Sequence, residues 1–166
     1  MLKVYLDSSA IVKRYTSEPG SPAADHVFDK CWLGELLIAT SIWNIGEILG
    51  VFDMRRRKKW LDENEFRKTL KKFVSEIMGL LRLRAVEIVP ILTSMLVESW
   101  PLILEERIYE ADALQIQTYI YSGGNLLLSA DNELINVALK KGIKAVNIED
   151  ESEVKRLLKS NKPSDF

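Results

Sequence analysis

Four acidic residues stand where such side chains are out of place, and their chemistry is that of hard oxygen ligands. Asp7 directly follows the apolar run Val4-Tyr5-Leu6, at the carboxyl end of a strand, where open parallel sheets bind ligands. Capping the helix that begins near Ser9 is an equally good reading of Asp7 alone. Ser8 and Ser9 read as caps, with Ser8 kept as a supporting polar group. Glu47 lies in Ile42-Trp43-Asn44-Ile45-Gly46-Glu47-Ile48-Leu49, which reads as a buried helix apolar nearly all the way round. An ionised carboxylate there costs several kcal/mol unless a cation or donors compensate it. Asn44, one turn earlier, can reach the same point, although a helix-start Asn bonding the backbone is the stronger reading.

Asp112 shares a helix face with Ile108, Ile116 and Tyr119, so it points where the apolar side chains point. A buried pair with Arg107 is the alternative for that position. Asp131 follows Leu127-Leu128-Ser129-Ala130, again at a strand end, and alone it reads as a helix cap. The set changes the balance. His26 and Cys31 are the only residues of their types, which removes a disulfide, a Cys/His zinc cluster and most Ser-His or Cys-His nucleophile schemes. Four converging carboxylates repel unless a cation sits among them, and Mg²⁺ or Mn²⁺ suits such a ligand set.

The elements that must bring these acids together follow from short apolar runs alternating with amphipathic stretches, the pattern of a parallel α/β domain. Strands are expected at 2–6, 36–39, 86–89, 125–128 and 144–148. Helices are expected at 9–15, 22–32, 41–59, 63–84, 93–104, 109–121, 132–141 and 151–159, with Pro101, Gly123-Gly124 and Gly142 as separators. Asp62 and Glu65 have capping-box spacing. Residues 1–160 are expected to form one domain and 161–166 a loose tail.

The 166 residues are 47% apolar and carry a formal charge of −1, too apolar and too neutral for a disordered chain. Lacking an apolar run of about 18 residues, the chain is expected to be cytoplasmic rather than membrane-bound. The near-neutrality is a cancellation. Residues 55–84 hold 11 basic and 4 acidic side chains, so a basic segment is joined to an acidic remainder. Within it Arg55-Arg56-Arg57-Lys58-Lys59 ends a helix, where the macrodipole favours cations regardless of function; gripping an RNA backbone is the other reading. The four tryptophans are expected in the core or at interfaces, His26 at the surface, and Cys31 as a small buried hydrophobe. Apolar surface on the two helices after the second strand would suit a homodimer.

The stretch Tyr5-Leu6-Asp7-Ser8-Ser9-Ala10-Ile11-Val12-Lys13-Arg14-Tyr15 with Glu18-Pro19-Gly20-Ser21 resembles the opening of PIN domain proteins, particularly the VapC-like toxin ribonucleases. Glu47, Glu110-Ala111-Asp112-Ala113-Leu114 and Ser129-Ala130-Asp131 match the family's remaining acidic positions in order. The resemblance implies a three-layer α/β/α fold with a five-stranded parallel sheet of order 3-2-1-4-5. It implies Asp7, Glu47, Asp112 and Asp131 as catalytic, metal-binding acids, with Ser129 in support, and Asn132 or Glu133 where some members carry a further acid. It also implies a Mg²⁺- or Mn²⁺-dependent endoribonuclease acting on RNA, with an antitoxin partner docking near the basic segment. An RNA-processing nuclease without an antitoxin and a non-catalytic binding protein are the alternatives. An aspartyl-nucleophile phosphohydrolase would want an acid at Ser9, and a receiver domain an Asp where Pro90 and Ile91 stand.

Overall fold

The computed structural model describes residues 1–159; the expected tail at 161–166 lies outside the described residues. Five strands, β1 (Leu2–Leu6), β2 (Leu36–Ser41), β3 (Val86–Val89), β4 (Leu126–Ser129) and β5 (Ala145–Asn147), pair in parallel in the order β3-β2-β1-β4-β5. This is the expected three-layer sheet fold, with strand bounds moved by one or two residues. Side chains alternate across the pleat. Val4, Leu6, Leu36, Ile38, Leu126 and Leu128 enter one apolar cluster, while Tyr5, Ala39 and Leu127 enter the other.

Each cluster is closed by its own helices. On the first face lie α1 (Ser8–Val12), α2 (Ser21–Trp32), α3 (Ile42–Arg57), α4 (Glu63–Arg82) and α8 (Glu151–Lys159). On the second lie α5 (Thr93–Glu106), α6 (Glu110–Ser122) and α7 (Asn132–Lys140). The Asp62/Glu65 capping box starts α4. Gly20, N-cap of α2, has φ 86°, and a Cβ there would come within 2.9 Å of Lys13 Cδ, so the Pro19-Gly20 turn needs glycine for both shape and space. Among the described residues no helix is long and apolar enough to cross a membrane.

Three expectations need correction. Pro101 does not separate helices; it lies within α5, which ends instead at Arg107 in the left-handed region. Helix α3 is not buried all round, because Ile42, Trp43 and Leu49 are exposed. All four tryptophans are exposed, which leaves the interface half of that expectation. Cys31 is buried, its Sγ donating to the Ala85 carbonyl, while His26 is half-buried rather than exposed.

Candidate active site

Asp7 directly follows β1, where the backbone leaves the sheet to start α1. Its carboxylate caps that helix by accepting from Ala10 N at 2.9 Å. Both carboxylate oxygens also accept from Ser9 Oγ, at 2.8 and 2.9 Å, and Oδ2 accepts from Ser129 Oγ at 2.6 Å. The capping and site readings of Asp7 are therefore one geometry. Burial pushes its carboxyl up to about 6 against these hydrogen bonds, and the Asp131 charge adds to the rise.

Ser129 ends β4, hydrogen-bonded to its neighbour's acid and also accepting from Asp131 N at 2.9 Å. Ser9 Oγ accepts from Ala130 N at 2.8 Å. The two hydroxyls thus tie the end of β1 to the end of β4. Ser8 is half-buried in the first turn of α1, and the hydroxyl that holds Asp7 is that of Ser9. The spacing that makes residue i+2 a partner of an Asp at i was the available signal.

Asp131 is exposed and caps α7, accepting from Glu133 N and Leu134 N at 2.7 and 3.2 Å, both on Oδ1. Asp112 sits half-buried in the first turn of α6. Burial raises its carboxyl to about 6, helped by the charges of Asp131, Glu133, Asp7 and Glu47. The other three expected acids therefore act on Asp112, and exposed Glu133 joins them as a fourth. No pairing of Asp112 with Arg107 is among these influences. Glu47 is half-buried, not enclosed, and its Oε1 accepts from Trp43 Nε1 at 2.8 Å.

Beneath the acids runs a buried polar network. Asn44 Nδ2 donates to the Leu6 carbonyl at 3.3 Å, to Thr40 Oγ1 at 3.0 Å and to Gln115 Oε1 at 3.2 Å, and Gln115 Nε2 donates back to Asn44 Oδ1. Tyr5 Oη donates to Gln115 Oε1 at 2.6 Å. Asn44 stands one turn before Glu47 and Gln115 one turn after Asp112. This amide pair holds α3 and α6, the helices carrying those acids, in fixed relation at the end of β1. Asn44 therefore bonds a backbone carbonyl, as expected of it, but that of a strand. Gln115 carries the same sequence signal as Glu47, a polar residue inside an apolar helix.

The basic cluster lies at the other end of α3, about 12–15 Å along the axis from Glu47. Arg55 pairs with Glu18 at 2.9 Å, Arg56 with Asp53 at 2.6 Å and Glu63 at 3.6 Å, and Arg57 with Asp53 at 2.9 Å. Lys58 lies over the Trp60 ring at 4.8 Å, and exposed Lys59 has φ 57°. The guanidinium groups are thus already matched to carboxylates within the chain.

Among the described residues no three acid, His or Cys side chains are drawn into a ready-made metal cage. The donor set fits a hard divalent cation all the same, being built of carboxylates whose charges raise the proton affinity of Asp7 and Asp112.

A family model described as "PIN domain" matches residues 4–140. A search of the curated proteins finds no match. Among solved structures, PAE2754 of Pyrobaculum aerophilum superposes with a TM-score of 0.61 at 19% identity, over 96% of this chain and 97% of that one. VapC20 of Mycobacterium tuberculosis, described as a sarcin-ricin loop cleaving toxin, gives 0.54 at 14%, over 79% and 92%. VapBC2 of Rickettsia felis, bound to a DNA fragment from its promoter, gives 0.61 at 13%, over 88% and 98%. These identities speak for the fold.

Proposed function

This chain belongs to the PIN domain family, and on that premise we propose that it is a Mg²⁺- or Mn²⁺-dependent endoribonuclease, the cytoplasmic toxin of a toxin–antitoxin pair. The observation that carries the reading is Asp112, whose perturbing charges are the carboxylates of Asp131, Glu133, Asp7 and Glu47. Acids facing acids at the carboxyl end of a parallel sheet are organised for a cation.

Asp7, Glu47, Asp112 and Asp131 would hold the ion. Bound there, it supplies polarisation of the scissile phosphate and a lowered pKa for water. The protein's own work is positional. Ser9, Ser129 and Ala10 N fix the rotamer of Asp7, so that its oxygens need no reorientation when substrate arrives. The Asn44–Gln115 pair sets the separation of the two acid-bearing helices. Because Asp7 and Asp112 hold protons up to about pH 6, cation binding there displaces protons and strengthens as pH rises through that value. Arg55, Arg56, Arg57, Lys58 and Lys59 would meet RNA phosphates away from the scissile one, or the antitoxin. The toxin reading draws support from the fold shared with VapC20 and VapBC2. A homodimer would use the apolar surface of α3 and α4, where Leu49, Val74 and Met78 are exposed; α5 carries a second exposed stripe, Leu96, Val97, Trp100 and Leu104.

The test is cleavage of single-stranded and structured RNAs with Mg²⁺ or Mn²⁺, beside EDTA and Asp7→Asn controls. Activity that survives both controls sinks the proposal, and metal binding without cleavage points to a binding protein. Growth arrest on expression, relieved by a small protein encoded beside the gene, is the outcome expected for a toxin.

A further inference from the structure

The four tryptophans are all exposed but are held differently. Trp32 donates to Glu76 and lies against Gly79, where a Cβ would come within 2.8 Å of its ring. Trp60 lies under Lys58. Trp100 belongs to the apolar stripe of α5. Trp43 alone of the four is bonded to an acid of the candidate active site, its Nε1 donating to Glu47 Oε1 at 2.8 Å.

That bond uses the only donor an indole has, so the ring is held one hydrogen bond from the catalytic carboxylates while 49% of the residue stays open to solvent. The same helix face continues through Gly46 and Gly50, where a Cβ would meet nothing within 4 Å. The surface beside the ring is therefore bare. A rigid aromatic face exposed at this spot leaves apolar area in water with no gain to the fold. A nucleobase would cover it.

Resting on the nuclease reading above, we propose that Trp43 is a base-stacking platform that binds a nucleobase of single-stranded RNA beside the site of cleavage. The fit favours single strands, because bases in a duplex are already stacked, and it tolerates sequence, because every base offers a π-face. The anchoring of the ring to Glu47 favours RNA over a protein partner, since it places the platform within the acid site itself.

The experiment measures binding of a short fluorescein-labelled single-stranded oligoribonucleotide to the Asp7→Asn protein, alone and combined with Trp43→Phe or Trp43→Ala. A parallel series carries one abasic residue moved along the strand. Trp43→Ala should weaken binding about 10-fold and Trp43→Phe less than about 3-fold, since phenylalanine still stacks. At one strand position the abasic residue should weaken binding to the Trp43 protein about 10-fold, yet cost nothing further with Trp43→Ala. Unchanged affinity in Trp43→Ala, or an abasic penalty that persists there, overturns the platform. A partly unfolded variant lowers affinity for both oligonucleotides alike and cannot produce that loss of coupling. Cleavage by the otherwise unaltered protein is scored separately. Coupling without cleavage removes the nuclease reading and keeps the platform; cleavage without coupling does the reverse.

Discussion

Carboxylates gather in two regions of this molecule, and they titrate in opposite directions. At the strand ends Asp7 and Asp112 are raised to about 6, by burial first and by neighbouring acids. Across α1, α2 and α4, burial acts on Glu76 as well, but hydrogen bonds from Arg14 and Trp32 overcome it and hold that carboxyl below its ordinary value. Arg14 reaches Glu76 and Asp25 at 2.9 Å and Asp29 at 3.2 Å, while buried Lys13 meets Glu149 at 2.8 Å. Burial is common to both regions. What differs is the cation, supplied by the chain in one place and, on the proposed function, left to come from outside in the other.

The sharpest break of this contrast is chemical. Asp7→Asn should lower RNA cleavage by on the order of 10³-fold, several kcal/mol of transition-state stabilisation, and EDTA should match it. The same loss from a change in the Arg14 cluster without unfolding would refute the division of roles.

Next comes stability. Arg14→Ala leaves Glu76, Asp25 and Asp29 facing one another and should cost about 2–3 kcal/mol, or about 5–10 °C in melting temperature. Asp112→Ala should leave the metal-free melting temperature at pH 7 unchanged or raise it, since it removes a repelled charge. A drop as large as that of Arg14→Ala would show that Asp112 is structural.

Asn44→Ala probes the support beneath the acids. Leaving Gln115 without its amide partner should cost about 2 kcal/mol. Cleavage should fall about 10- to 100-fold through kcat rather than KM, because the helices carrying Glu47 and Asp112 lose their register. Equal changes in kcat/KM and KM with kcat intact would contradict that role.

The smallest effect is in pH dependence. The folded carboxyls of Asp7 and Asp112 lie above the ordinary 3.8, so between about 4 and about 6 the native state binds more protons than the unfolded one. Stability of the metal-free protein should therefore fall as pH rises across that window, read as a falling melting temperature in thermal melts. Glu76 and Glu18 are lowered, so their contribution is present above the ordinary glutamate value and is lost as pH falls below about 4. Mg²⁺ or an Asp112→Asn change should flatten the descending limb, and a flat metal-free profile would count against the uncompensated acids.

Much of this arrangement is legible in local sequence. The unbroken apolar runs Val4-Tyr5-Leu6 and Leu126-Leu127-Leu128 mark strands covered on both faces, and Asp62 with Glu65 marks the start of α4. The positions of Asp7 and Asp131 after apolar runs place them at strand ends. Periodicity misled at α3, where Trp43 and Leu49 match a buried pattern but face solvent, because apolar type does not say which faces a neighbour covers. It also misled at Pro101, whose missing donor is tolerated inside α5.

Local patterns determined the elements, their order and which acids would be out of place, since backbone geometry and side-chain period act over a few residues. Tertiary structure alone decided that Asn44 meets Gln115, 71 positions away, that Ser129 reaches Asp7 from the neighbouring strand, and that Arg55 is matched by Glu18 and Arg56 by Glu63. Such pairings depend on how the helices cross the sheet, and the distances that set charge and hydrogen-bond energies exist only after that packing is complete.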